Sequence, residues 1–138
     1  MAIYQATKSS SQTEQMPGVG DGQSGKAACS SYTSTAALLV GDIIQGPLIQ
    51  SGSVVYDVIV HTTGMGAAGA FEVGYGGDTD YFSAAAAAVT GGIRRADAPT
   101  AAPLILSIND TIDIRITGQG ATAGVTYTII PLFLPRNA

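Results

Sequence analysis

Residues 111–130 read TIDIRIT, then GQGATAG, then VTYTII. In the first run Ile112, Ile114 and Ile116 alternate with Asp113, Arg115 and Thr117. A period of two is the signature of a strand with one buried and one wet face. The Gly-rich middle reads as a turn. The closing run is again β-branched and aromatic, so the two runs are expected to pair as a β-hairpin. Nothing resembling a catalytic set sits on or beside them.

Working outward, strand signals recur from Cys29 onward. Residues 30–35 lead into residues 36–40, stopped by Gly41 and Asp42. Ile43 and Ile44 precede Gly46-Pro47, which reads as a turn dipeptide, and Leu48 and Ile49 follow it. Residues 54–60 (VVYDVIV) form a firm strand. Val54, Tyr56, Val58 and Val60 are expected on one face, with Val55, Asp57 and Ile59 on the other. Both faces are largely apolar, as in a strand that lies between two layers or beneath a partner. Residues 70–75 (AFEVGY) are another strand, closed by Gly76, Gly77 and Asp78. The alanine run 84–88 favours helix but is short and flanked by glycine-rich breaks, so a helical turn or loop is expected there. Residues 103–108 (PLILSI) are a strand turning at Asn109-Asp110. The last strand runs over 125–134, and Pro131 within it suggests an edge or a bulge. The count is about eight short antiparallel strands, the pattern of an all-β sandwich or jelly roll.

Residues 1–27 differ in composition. They are rich in Ser, Gln and Gly and have few large apolar residues after Ile3 and Tyr4. Such a segment cannot support its own core, so it reads as an extended N-terminal arm. Residues 28–138 form the β-sandwich domain. A chain of 138 residues is otherwise one domain.

Charge narrows the class of function. Charged residues make up 12% of the chain, about half the usual share, and the net charge is −4. A surface so poor in charge suits a protein that meets another protein over much of its area. Arg94 and Arg95 are the only adjacent basic pair, so no stripe is available to phosphates, and neither nucleic acid nor an anionic membrane is an expected partner. Cys29 is alone, which excludes an internal disulfide. The N-terminal residues lack the apolar core of a signal peptide, so synthesis in the cytoplasm is expected.

Four motifs resemble chemistry, and each is weaker than its structural reading. Gly20, Gly25 and Lys26 fit a phosphate-binding loop, but Ala27 stands where Ser or Thr must bind magnesium, and no strand and helix flank the segment. His61 and Cys29 are a conceivable base and thiol, with nothing to bring them together. Asp78 and Asp80 read as turn residues rather than calcium ligands. Asn109-Asp110-Thr111 matches a glycosylation sequon and reads as a turn. No catalytic residue, cofactor or metal is expected, and the chain is not expected to be an enzyme.

From Gly41 onward the sequence resembles a known family. The carrying stretches are Gly41-Asp42-Ile43-Ile44, SVVYDVIV, FEVGYGGDTDYFSA and LSINDTIDIRITGQGATAGVTYTI. Phe71, Glu72, Val73, Gly74, Tyr75, Gly77, Asp78, Asp80 and Phe82 carry the most specific part. These resemble the jelly-roll cement, or decoration, proteins of tailed-bacteriophage capsids, such as that of a Bordetella podophage. The resemblance implies a virion protein on the outer capsid surface that stabilises the head against internal DNA pressure. Its implied partners are the major capsid protein and a second copy of itself, as a homodimer or alternatively a trimer. Contact with the partner is expected at Ile3, Tyr4, Met16 and Val19 of the arm, and at Tyr75, Tyr81, Phe82 and Phe133. The alternative is a glycan- or receptor-binding module of a phage fibre or adhesin, using the Tyr75, Tyr81 and Phe82 cluster.

Overall fold

A computed structural model describes residues 1–5, 7–8, 25–99, 101–120 and 122–135. Among the described residues there are twelve strands in two sheets and no helix. In chain order they are β1 (Ile3–Gln5), β2 (Thr7–Lys8), β3 (Lys26–Ala27), β4 (Ser30–Thr33), β5 (Ile43–Ile49) and β6 (Val54–Thr62). There follow β7 (Ala70–Tyr75), β8 (Asp78–Ala87), β9 (Gly92–Arg95), β10 (Leu104–Ile105), β11 (Asp110–Gly118) and β12 (Thr126–Leu134). Sheet I runs β1-β5-β11-β7-β8. Sheet II is centred on β6 and β12, with β9 and β10 beyond β6, β4 and β3 beyond β12, and β2 outermost.

Without the short outer strands, the sheets reduce to β5-β11-β7-β8 and β4-β12-β6-β9. Most connections cross from one sheet to the other, which is the strand order of a jelly roll. The expected all-β jelly-roll class is therefore observed.

The core lies between the sheets. Ile44, Ile112, Ile114, Ile116, Phe71 and Val73 of sheet I face Val55, Val58, Val60, Tyr127 and Ile129 of sheet II, all essentially buried. Each such side chain contributes about 1.5–3 kcal/mol relative to exposure. The period-two reading of Ile112, Ile114 and Ile116 holds: all three are core residues and their neighbours face out.

The expected hairpin does not form. β11 pairs with β5 on one side and β7 on the other, while β12 lies in sheet II between β6 and β4. Residues 118–124 thus carry the chain between sheets. Both edges of β11 are already occupied by long-range partners, which no local pattern reveals, and the connection is longer than a tight hairpin loop.

Three further expectations are corrected. Gly46-Pro47 is no turn: β5 continues through it, with a bulge that sets these two residues against Ile112 alone. A Cβ at Gly46 would collide with the Ile112 carbonyl and the Ile129 side chain, so glycine is there for close approach. Pro47 sits on β5 beyond the last residue paired with β1, where a missing N–H leaves no ladder bond unmade. The alanine run is strand, not helix or loop: β8 extends through Ala87, paired to Ala70 and Phe71. Pairing to β7 overrides the helical preference of alanine. The faces of β6 also shift. Val55, Val58, Val60 and Thr62 point inward, because the register slips where Leu132 faces Asp57 and Phe133 faces Val55. A bulge at Tyr56 resets the alternation.

Pro131 lies in a central strand, one residue before that bulge. Its carbonyl accepts from the Ala28 amide at 3.2 Å, on the side where β12 changes partner from β4 to β3. A proline therefore fits without breaking the ladder. The strand expected over 103–108 shortens to Leu104–Ile105.

The flank at β8 is closed by side chains. The Arg94 guanidinium stacks 3.9 Å from the Phe71 ring centroid and donates to the carbonyls of Phe71 (2.6 Å), Ala86 (3.0 Å) and Ala87 (3.3 Å). The amides of Asp97 and Ala98 donate to the Phe82 carbonyl, and the Tyr81 hydroxyl to that of Ala102. An otherwise open edge strand is covered.

Candidate docking surface

The outward face of sheet II is built by the alternate residues of β6 and β12 that do not enter the core. Pairing places them in rows. Ile93, His61, Thr128 and Ser31 form one, and Arg95, Ile59 and Ile130 the next. Asp57, Leu132 and Ala27 form a third, and Ile105, Val54 and Leu134 the last. Seven of these residues are Ile, Leu or Val. Ile93 is 70% exposed and Ile105 67%, and Tyr56 at the bulge is 43% exposed. The charged side chains in these rows, Arg95 and Asp57, pair with each other at 2.7 Å. Asp57 also accepts from the amides of Val58 and Ala96. The face is thus apolar and locally neutral, unlike the solvent side of an ordinary antiparallel sheet.

The outward face of sheet I is mixed: Ile3, Ile43 and Leu48 lie on it near its β1–β5 edge, and its centre is polar. Arg115 lies opposite Glu72 and donates to it at 2.9 Å. Asp113 lies between Gln45 and Gly74, and its carboxylate accepts from the Thr111 hydroxyl at 2.6 Å. Burial pushes the Asp113 pKa up to about 6, against the opposing pull of the Thr111 hydrogen bond. Gly74 has no room for a Cβ because the backbone at Asp78 and Thr79 folds over it. At the end of this face Asp110 accepts from the Gly76 amide at 3.1 Å and Asn109 from that of Ser51 at 2.9 Å. Of the sequon only Asn109 precedes the strand, and the expected turn is corrected: Asp110 and Thr111 already belong to β11.

The residues expected to meet a partner are scattered. Ile3 is half exposed on β1, and Tyr4 packs against Tyr32 at 5.0 Å between ring centroids. Met16 and Val19 lie outside the described residues. Tyr75 and Tyr81 are half-buried and meet edge to face at 5.6 Å; Tyr81 meets Phe82 likewise at 5.0 Å. Phe82 itself is a core residue, 1% exposed, so it supports these rings from beneath. Phe133 packs half-buried against the core. The structure thus brings Tyr75, Tyr81 and Phe82 together and leaves the others apart. The residues of the apolar rows, Ile59, Ile93, Ile105, Ile130, Leu132 and Leu134, were not singled out from sequence. The signal for them was the apolar character of both faces of residues 54–60.

Candidate chemistry finds no geometry. Burial raises the Cys29 thiol pKa, the opposite of an activated nucleophile. His61 stands on the outward face of β6 between Thr128 and Ile93. The Asp80 amide donates to the Asp78 carboxylate, and hydrogen bonding between the two side chains raises the Asp80 pKa. Among the described residues no group of three or more His, Cys, Asp or Glu is placed to hold a metal ion. No helix of the described residues is long and apolar enough to cross a membrane.

No protein-family model matches the chain, and no curated protein matches its sequence. Solved structures do match its fold. A chain in the capsid of Ralstonia phage GP4 superposes with a TM-score of 0.72 at 21% identity, over 99% of this chain and 100% of that one. A chain of the cyanophage Pam1 capsid asymmetric unit gives 0.70 at 21% identity, over 92% and 97%. A chain in the acid-stable capsid of Helicobacter pylori bacteriophage KHP30 gives 0.53 at 14% identity, over 80% and 94%. At these identities the likeness is one of fold: this chain has the jelly roll of small chains found in phage capsids.

Proposed function

We propose that this protein is a structural component of a phage virion, a cement protein that lies on the outer surface of the head and ties neighbouring capsomers together. The observation that carries the reading is the apolar outward face of sheet II. A sheet whose second face is apolar is stable in water only at the cost of exposed hydrocarbon, and it gains about 25 cal/mol for each Å² later covered. A rigid jelly roll with one such face is suited to lie flat on a protein shell. Affinity per copy stays modest, and retention comes from many contacts acting together.

The structural neighbours support this reading. Each is matched over 94–100% of its own length, so the likeness is to whole small capsid chains and not to a domain of a much larger subunit. Residues 1–27 extend the contact, and the molecule works as a homodimer or a trimer with the major capsid protein as its seat. A glycan-binding role is less well supported, because Tyr75 and Tyr81 are packed edge to face and not laid open as stacking platforms.

Purified protein mixed with expanded, undecorated heads of its phage should co-sediment saturably, at a fixed copy number per capsomer. That number gives the symmetry. Failure to sediment with those heads would overturn the reading.

A further inference from the structure

We propose that residues 1–5 and 7–8 form an exchangeable strap whose second seat is the same pair of sheet edges on another copy of this chain. The strap spans both sheets. Ile3, Tyr4 and Gln5 pair in parallel with Ile43, Ile44 and Gln45 at the edge of sheet I. Two residues later Thr7 and Lys8 pair antiparallel with Ser31 and Ser30 at the edge of sheet II. The strap therefore closes the flank opposite Arg94.

The anchors that the described residues provide belong to the seat. The Ala2 amide donates to the Asp42 carboxylate at 3.0 Å, the Ile43 amide to the Ala2 carbonyl at 2.9 Å, and the Tyr4 ring rests on Tyr32. Met1 and Ile3 remain exposed. The β1–β5 pair is also the one parallel pairing among the described strands.

The chain length behind the strap is what points to exchange. Lys8 sits opposite Ser30, which pairs with Ile129; Lys26 sits opposite Phe133 on the same strand. Four strand residues and one strand spacing put these points about 15 Å apart. Residues 9–25, fully extended, reach at most about 60 Å. The connection is several times longer than closure onto its own body needs, and long enough to lay the strap on an adjacent molecule. Every contact of the strap is reproduced there, so the choice between the two seats rests on concentration alone. Exchange then begins as protein concentration approaches the effective concentration set by the connection, on the order of millimolar. Packed side by side, copies reach that regime.

The test needs no phage heads, so it stands or falls separately from the capsid reading. Two single-cysteine variants are made on a Cys29→Ser background, one with Ile3→Cys and one with Ile43→Cys. Mixed, incubated from about 10 µM to about 1 mM and then oxidised, they join above the yield of chance collision, set by pairing Ile3→Cys with a Leu48→Cys variant exposed on the same strand beyond the strap, only if the strap of one molecule lies on β5 of another. A mixed covalent dimer whose yield rises with concentration is the expected result. The variant carrying both cysteines reports the closed form, as an internal disulfide at low concentration. Internal closure of that variant without any mixed dimer at 1 mM would overturn exchange. No cross-link in either case would overturn the β1–β5 pairing and the exchange with it.

Discussion

The two outward faces of this sandwich obey the same alternation and carry different surfaces. On sheet I the residues that turn away from the core include Arg115, Glu72, Asp113 and Thr111, held in ion pairs and hydrogen bonds, beside Ile3, Ile43 and Leu48. On sheet II they include Ile59, Ile130, Leu132, Val54, Leu134, Ile93 and Ile105, with one neutralising Arg95–Asp57 pair. Sheet I sets its exposed hydrocarbon beside paired charges. Sheet II leaves most of its outward side chains as hydrocarbon. What sets one face apart is the hydrocarbon left outside, and the proposed function rests on that difference.

The largest expected effect is on binding. Replacing both Ile93→Asp and Ile105→Asp puts carboxylates at positions already exposed, so folding is spared. Affinity for undecorated heads should fall at least about a hundredfold, roughly 3 kcal/mol. On the opposite face, Asp113→Asn should change that affinity by less than about twofold. Equal effects from the two faces, measured by sedimentation, would erase the comparison.

Next is the flank where the sheets meet. Arg94→Ala removes three charge-assisted hydrogen bonds and a stacked cation, whose pKa is lowered by burial. A loss of about 2–3 kcal/mol is expected in denaturant unfolding. Exchange of the β8 and β9 amides should rise with it.

The polar face has its own signature in pH. The folded protein holds the Asp113 proton more tightly than the unfolded chain does, because the pKa rises to about 6. Between pH about 4 and about 6 stability should therefore fall as pH rises, and the full penalty stands above that window. At neutral pH it is on the order of 2 kcal/mol for a group that keeps some solvent. Asp113→Asn should raise the unfolding temperature at pH 7, leave it nearly unchanged at pH 4, and flatten the slope between.

The smallest effect belongs to the charge pair on the apolar face. Arg95 is well exposed, so Arg95→Ala should cost less than about 0.5 kcal/mol, read as a shift of a degree or two in thermal unfolding.

How much of this was legible in the sequence follows a physical division. Ile112, Ile114 and Ile116 announced their own burial, because period two is local. The apolar character of both faces of residues 54–60 announced hydrocarbon on the outer side of its sheet before any partner strand was known. What stayed hidden depends on residues far away. The connection at residues 118–124 looked like a hairpin because nothing nearby says that β5 and β7 flank β11. The alanine run looked non-β because its strand character comes from β7 and from the Arg94 side chain. The bulge at Tyr56 is set by the register against β12, and it moved Ile59 outward together with Asp57. The apolar face combines strands β6, β9, β10 and β12, so only topology assembles it.

The most direct test is a side-chain footprint by carbene labelling, with and without expanded undecorated heads. Protection should fall on Ile93, Ile105, Tyr56 and Leu134, while Asp113, Thr111 and Arg115 stay as reactive as in free protein. Protection centred on the residues of sheet I would contradict the account.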